Sequence, residues 1–146
     1  MADSIHLQIA TPERQVVDVS VDEVELPGRD GYLGILPGHA PLLSVLGAGV
    51  VTFAAGGRKQ FLAVADGGFI EILDNQVRVL AESAVPAAEI DATKAREELT
   101  EARAAVEHPG RGIPEGDRSR DAADFEPALA RLRNAQACVD AAEHVK

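Results

Sequence analysis

The sequence predicts a two-part molecule: an N-terminal antiparallel β-sandwich of about eight to ten strands, then a C-terminal antiparallel helical hairpin. Three observations favour it. Apolar and polar residues alternate with a period of two before residue 81. Turn signals recur there at short spacing. Beyond this region Val and Gly thin out, and Ala, Glu and Arg take over. We therefore predict a sandwich over 1–84 and a hairpin over 85–146.

The bulk composition limits the function classes. A chain of 146 residues accommodates one ordinary domain, or a small domain with an appendage. Because 46% of the residues are hydrophobic but only 3% aromatic, the core must be aliphatic. A net charge of −10 argues against nucleic-acid binding, which needs clustered Lys and Arg. The single cysteine, Cys138, excludes an internal disulfide and fits a reducing compartment.

No targeting or membrane segment is evident in the sequence. The first residues have neither a basic region followed by a long apolar core nor the Arg-rich character of a transit peptide. No apolar run approaches the ~20 residues that span a bilayer. We expect a cytosolic chain that meets a membrane only through a partner.

The strands of the sandwich follow from local alternation. The valines and leucine between Val17 and Leu26 alternate with charged and polar residues, which predicts one half-buried strand. Further strands are predicted over 50–54, 61–65, 69–73 and 77–80. They are separated by turn signals, namely Pro27-Gly28, Asp30-Gly31, Pro37-Gly38, Gly47-Ala48-Gly49, Gly56-Gly57, Asp66-Gly67-Gly68 and Asp74-Asn75.

Two amphipathic helices are predicted after residue 88. Asp91 is a candidate N-cap of the first, and His108-Pro109-Gly110 ends it. A polar connection near 108–121 leads to the second, with Asp124 as N-cap and Pro127 in its first turn. The expected apolar stripes are Ile90, Ala95, Leu99, Ala102 and Val106, and Leu129, Leu132, Ala135, Val139 and Ala142. Because these stripes are narrow, the hairpin should depend on the sandwich or a partner for stability.

The stretch from Gly31 to Leu43 contains a stiff corner formed by Pro37, Gly38 and Pro41. Proline restricts its own φ, and glycine permits the positive φ of a sharp bend. We expect the corner to project His39 outward. Two interpretations of His39 stay open, a docking contact and a solvated loop residue.

A catalytic constellation is not found in the sequence. The four histidines lack metal-ligand spacing, and Gly47-Ala48-Gly49 lacks the third glycine of a dinucleotide loop. Ser44 and Ser83 lie in no nucleophile elbow. A sandwich enzyme of the cupin kind would need inward His and Glu ligands, for which there are no candidates. A non-enzymatic alternative is a free-standing adaptor whose hairpin recruits an unrelated partner.

Four segments resemble the epsilon subunit of F-type ATP synthases, the mitochondrial delta homologue. They are Thr11-Pro12-Glu13-Arg14, the run Gly31 to Leu43 with its Gly-Ile-Leu-Pro-Gly-His-Ala-Pro-Leu-Leu core, Ala63 to Ile72, and Val77 to Glu82. Their order and spacing match the family. The resemblance covers essentially the whole chain, and it is strongest up to residue 84.

The resemblance implies a non-catalytic rotor subunit. In the family the sandwich joins the gamma subunit to the ring of c subunits in ATP synthesis driven by transmembrane ion flow. In bacteria the hairpin can extend along gamma, contact the catalytic beta subunit and restrain ATP hydrolysis. The implied location is peripheral, at the cytoplasmic face of a bacterial plasma membrane, as part of the complex.

The resemblance also implies docking residues. The ring-facing loops map onto Asp30, Gly31, Tyr32 and His39. Many bacterial members have Glu where this chain has Tyr32, so a packing or hydroxyl contact would replace an electrostatic one. Gamma is expected near Leu42, Leu43, Gly67 and Gly68.

The hairpin carries two further implied sites. Some members bind ATP through an Ile-Asp-x-x-Arg-Ala motif, but here residues 90–95 have Lys94 for Arg, and the second-helix arginines fall on Asn134 and Cys138. We therefore expect weak or no ATP binding, because Lys lacks the planar fork suited to phosphate. The inhibitory contact maps onto Arg131 and Arg133, with Arg118 and Arg120 in the connection. The alternative for these arginines is solvated helix charge.

Overall fold

The computed structural model describes residues 4–108 and 118–145, without the side chains of 118–124. The described chain forms ten strands, a short 3₁₀ turn at Ala87–Glu89 and two α-helices. The strands are β1 Ile5–Ala10, β2 Gln15–Val21, β3 Glu23–Gly28, β4 Gly31–Ile35, β5 Leu42–Val45, β6 Gly49–Ala55, β7 Arg58–Val64, β8 Phe69–Leu73, β9 Gln76–Leu80 and β10 Ala84–Pro86. The helices are α1 Ala92–Glu107 and α2 Arg118–Glu143. The predicted sandwich and hairpin are confirmed.

The strands form two five-stranded sheets. Sheet 1 has the order β2-β1-β9-β8-β5, and sheet 2 has the order β10-β7-β6-β3-β4. Neighbouring strands pair antiparallel, as predicted, except β1 and β9, which are parallel. Strand β10 crosses the predicted boundary at residue 84 and pairs with β7.

The single strand predicted over Val17 to Leu26 is two strands in different sheets. The chain leaves sheet 1 at Val21 and enters sheet 2 at Glu23, and the Asp22 N–H donates to the Ala54 carbonyl at 2.8 Å. The chain turns this corner without a Gly or Pro, but the apolar positions shift from 17, 19 and 21 to 24 and 26. This change of phase in the alternation is the signal that could have revealed the break.

The sandwich core is aliphatic, as the composition predicts. Its inward side chains come from both sheets, and Phe53 is the one aromatic among the buried members in the described region. The largest fully buried side chains are Ile5, Leu7, Ile9, Leu26, Ile35, Leu46, Ile70 and Ile72. Among the described side chains, none from either helix takes part in this core.

The hairpin packs against the outer face of sheet 2 through small residues. Ala137 and Ala141 of α2 contact Val50 and Ala63 of the sheet. The predicted stripes are right for Ala95, Ala102, Ala135 and Val139, which are buried. The larger members Leu99, Val106, Leu129 and Leu132 are partly buried. Alanine permits close approach of helix and sheet, and the leucines lie at the margin.

The helix ends differ in part from the prediction. Asp91 caps α1 as predicted, because its carboxylate accepts from the Thr93 and Lys94 N–H groups at 3.1 and 3.2 Å. The prediction for α2 is wrong at its start: the helix begins at Arg118 rather than after Asp124. Pro127 therefore lies inside α2, where it removes one hydrogen bond of the helix.

Candidate functional site

The predicted docking residues lie at two opposite ends of the sandwich. Strand β4 runs from the Asp30 turn at one end to the Pro37 corner at the other, and five strand residues span about 17 Å. We call these the Asp30 end and the His39 end. The structure therefore does not bring His39 together with Asp30, Gly31 and Tyr32 in one loop cluster.

The His39 end is a braced corner. Gly38 has φ 85°, and its N–H donates to the Asn75 Oδ1 at 2.7 Å. The His39 ring lies 2.7 Å from the Ala40 carbonyl through Nδ1 and is partly buried. Sequence reasoning assigned Asn75 only to a turn. Its left-handed φ of 60° fits that turn, but no signal in the sequence connects Asn75 with Gly38, which lies 37 positions away.

The Asp30 end holds an exposed two-residue hairpin turn. Asp30 and Gly31 are exposed, and Gly31 has φ 142°, which favours glycine. Tyr32 is 55% exposed, and its hydroxyl accepts from the Val50 N–H at 3.1 Å. Its ring borders a groove of about 350 Å³ whose other wall includes Leu132 and Gln136 of α2. Tyr32 therefore lies beside the docked hairpin.

The outer face of sheet 1 carries an exposed apolar surface. Leu43 is 72% exposed, Leu80 59% and Phe69 55%, and Leu73 is also exposed. Phe69 lies directly opposite Leu80, and Leu43 lies opposite Glu71 between Phe69 and Leu73. We call Leu43, Phe69, Leu73 and Leu80 the apolar patch.

Sequence reasoning found only one member of this patch. It named Leu42 and Leu43, but alternation places Leu42 on the inner side, packed against the core. Phe69 and Leu80 were missed as site residues. Large apolar residues at the outward positions of half-exposed strands are the signal that could have found them.

The Gly67-Gly68 turn closes the patch at the Asp30 end. With Pro12, Phe69 and Leu80 it lines a groove of about 280 Å³. Gly67 is exposed and has φ 102°, whereas Gly68 is buried. A Cβ at Gly68 would overlap the Leu80 carbonyl, so this glycine serves close backbone packing.

Both predicted inhibitory arginines are paired within the chain. Arg131 donates to Glu98 at 2.6 and 3.0 Å and to Glu101 at 3.4 Å. Through hydrogen bonding and charge, Arg131 holds the pKa of Glu98 below its ordinary value. Arg133 contacts Asp66 of the β7–β8 turn at 2.9 Å and Glu126 at 3.4 Å. The side chains of Arg118 and Arg120 lie outside the described residues.

The predicted nucleotide positions line a groove of about 750 Å³ between the helices and β10. Lys94, Asn134 and Cys138 are among its walls. The Asn134 side-chain oxygen accepts from the Asp66 N–H at 2.9 Å, which ties the helix to the sandwich. Burial, with a smaller effect of the Glu98 charge, raises the pKa of the Cys138 thiol. The walls are mainly apolar, with Val85, Ile90 and Pro127 among them.

Residues that could hold a metal do not converge in the described part of the chain. No group of three or more His, Cys, Asp or Glu side chains is placed to bind an ion there. Within the same residues, neither helix is both long and apolar enough to span a bilayer. The surfaces above are therefore the candidate site.

Comparisons with known proteins give the family of this chain. A family profile described as "ATP synthase, Delta/Epsilon chain, beta-sandwich domain" matches residues 4–87. The chain belongs to this family. Among its relatives, the ATP synthase epsilon chain of Solibacter usitatus is 46% identical over 113 residues, which cover 77% of this chain and 84% of the relative. That of Nitratidesulfovibrio vulgaris is 40% identical over 133 residues, 91% and 96% of the two chains. The resemblance inferred from four segments is confirmed.

Two solved structures share the fold. A chain of the Euglena gracilis mitochondrial ATP synthase, in a structure of OSCP, F1 and c-ring, superposes with a TM-score of 0.75 at 24% identity, covering 99% of this chain and 84% of that one. A chain of the Tetrahymena thermophila central stalk and c-ring gives 0.53 at 16% identity, covering 91% and 96%. At these low sequence identities, the similarity of the two structures to this chain concerns the fold alone.

Proposed function

We propose that the chain is a non-catalytic subunit of the rotor of an F-type ATP synthase, where it couples gamma to the c-ring during ATP synthesis driven by transmembrane ion flow. The apolar patch is the observation that supports this most, because it places four exposed apolar side chains on one sheet face of an epsilon-family sandwich. The two solved relatives belong to assemblies whose titles name the c-ring. The location follows from the complex: peripheral, on the cytoplasmic face of a bacterial plasma membrane.

Gamma binds the apolar patch in this proposal. The patch lies on the sheet face opposite to the hairpin, so gamma can bind while the hairpin is docked. The adjoining groove at Gly67 and Pro12 would take an apolar side chain of gamma. Leu42 and Gly68 support this surface from beneath rather than contact gamma themselves.

The c-ring contacts the Asp30 end in this proposal. The patch and its groove reach the same end through Phe69, Leu80 and Gly67, and a subunit that joins two partners needs adjacent surfaces. Asp30, Gly31 and Tyr32 are exposed there. The His39 corner, at the far end, would then contact a different part of gamma.

A charge placed in the patch tests the gamma proposal. Phe69→Glu should abolish co-purification with gamma, because burying an unpaired carboxylate in an apolar interface is costly. Ser20→Glu adds the same charge to the same sheet face near its β2 edge and should retain gamma. If Phe69→Glu binds gamma normally, the patch is not the interface. Co-elution of the native chain with an unrelated soluble protein instead of gamma would favour the adaptor alternative.

The hairpin restrains ATP hydrolysis in this proposal, through a transient contact of Arg131 and Arg133 with an acidic surface of the catalytic beta subunit. Guanidinium groups suit that role, because they bind carboxylates through a planar fork. The contact requires the hairpin to leave sheet 2, since both arginines are paired in the docked hairpin.

The hairpin holds no ATP in this proposal. Lys94 lacks the guanidinium fork, and the Asn134 amide oxygen is bonded to the sandwich backbone. Arg131, a neighbouring cation, is paired with Glu98. Calorimetric titration of the isolated subunit with ATP should show no binding at micromolar concentrations. A micromolar dissociation constant would contradict this.

A further inference from the structure

Helix α2 is attached to the sandwich by apolar and by polar contacts. The apolar contacts come from Ala137 and Ala141, whose methyl groups bury little area on Val50 and Ala63. The polar contacts converge on Asp66. Its carboxylate accepts from Arg133 at 2.9 Å, and its N–H donates to Asn134 Oδ1, also at 2.9 Å. The polar contacts are directional, so they select one docked position.

We infer that Asp66 and Glu98 form an electrostatic clasp, which holds the hairpin docked and occupies Arg133 and Arg131. Asp66 binds α2 to the sandwich, and Glu98 binds α2 to α1 through two hydrogen bonds from Arg131. The clasp also masks the two arginines from a partner, and this masking rests on the proposed function. The existence of the clasp does not depend on the proposed function.

The docked hairpin and a hairpin bound to an acidic partner compete for the same N–H donors of Arg131 and Arg133. Nη2 of Arg133 already donates to Asp66, and Nε and Nη2 of Arg131 donate to Glu98. An acidic partner that uses the same donors must first displace these carboxylates. Asp66 and Glu98 therefore act as internal substitutes for the partner's acidic surface.

The clasp should weaken with salt. Side chains of Arg131, Arg133 and Glu98 are close to half exposed, so dissolved ions screen their attraction. The alanine contacts have no such dependence. An undocking equilibrium that shifts with ionic strength is thus the signature of the clasp.

Two natural reporters detect undocking. Cys138 is the single cysteine, and it packs against the apolar contact between helix and sheet. The ring of His144 stacks on Phe61 with 4.1 Å between centroids, so a ring-current shift marks its docked position. Undocking accelerates thiol modification of Cys138 and returns the His144 resonance to its solvent-exposed position.

The test compares two Asp→Asn variants of the full chain at low and high salt. Asp66→Asn should accelerate modification of Cys138 about two- to fivefold at low salt. It should also reduce the salt dependence of this rate, of which the intact Glu98–Arg131 pair retains a part. Asp74→Asn removes the same charge at the His39 end. It should leave the modification rate of Cys138 and the salt dependence of that rate unchanged. Equal rates in Asp66→Asn and the native chain, or an equal acceleration in Asp74→Asn, would overturn the clasp.

Glu98→Gln is followed by the His144 resonance, because the Glu98 charge itself contributes to the raised pKa of Cys138. The resonance should move toward its undocked position in Glu98→Gln. It should not move in Glu97→Gln, which removes a charge from the neighbouring position of α1. An unmoved resonance in Glu98→Gln would overturn this half of the clasp.

The masking of the arginines is tested in the assembled ATP synthase. Asp66→Asn should lower ATP hydrolysis, because it frees Arg133 for the partner. If Cys138 modification accelerates but hydrolysis is unchanged, the clasp is supported and the inhibitory role is contradicted. If neither changes, the clasp is contradicted.

Discussion

At the scale of single residues, Gly68 shows how a position can look like a docking residue and serve packing instead. It is buried in the β7–β8 turn, and a Cβ there would overlap the Leu80 carbonyl. A backbone neighbour cannot rotate away as a side chain can. The glycine is thus required by the close approach of two chain segments beneath the apolar patch.

We expect Gly68→Ala to lower the free energy of unfolding by about 1–3 kcal/mol, the usual cost of overpacking. Gly34→Ala is the matched control, since an added Cβ there meets nothing within 4 Å. Urea denaturation of the two full-length variants measures the difference. Equal stability of both would show that the turn relaxes without cost.

At the scale of elements, the pairing of α1 with α2 combines buried alanines with exposed ion pairs. Ala95, Ala102 and Ala135 are buried, and Arg131 contacts Glu98 at the surface. Because the folded chain lowers the pKa of Glu98, the ion pair contributes fully above the ordinary value of 4.5. Its contribution is lost as the pH falls through the lower folded value.

Arg131→Gln should return the pKa of Glu98 toward 4.5 and reduce the acid sensitivity of the hairpin. NMR titration of the Glu98 side-chain carbon between about pH 2 and 7 measures this directly. Arg103→Gln removes the same charge from α1 and should leave the Glu98 titration as in the native chain. An identical titration in Arg131→Gln would show that the pair does not form in solution.

At the scale of the whole molecule, the sandwich and the hairpin are energetically separable. The sandwich core is built from residues 5–84, without any helical side chain. A smaller cluster joins the hairpin to sheet 2. Loss of the hairpin should therefore leave the apolar patch in place, and it should expose Val50, Phe61 and Ala63.

Deletion of residues 89–146 should raise ATP hydrolysis by the assembled enzyme without impairing assembly. The reason is that the proposed inhibitory arginines are removed while the proposed surfaces for gamma and the ring remain. Hydrolysis is compared in complexes containing the truncated or the full-length chain, with gamma content as the control for assembly. Unchanged hydrolysis with normal gamma content would count against an inhibitory hairpin.

The amino-acid sequence by itself determined the elements. Alternation with a period of two and regular turn signals predicted β6 to β9, and Asp91 marked the start of α1. These signals are local, since a few neighbouring residues decide whether a strand has a buried face. The motif run through His39 likewise sufficed to identify the family.

Only the tertiary structure decided which residues meet. Asp66 and Arg133 are 67 positions apart, and Asn75 braces Gly38 from another strand pair. The tertiary structure also places Asp30 and His39 at opposite ends of β4, although the two residues are near in sequence. Such contacts depend on how the strands are ordered in two sheets, and a period of two carries no information about that order. For this reason the docking surfaces were predicted only in part.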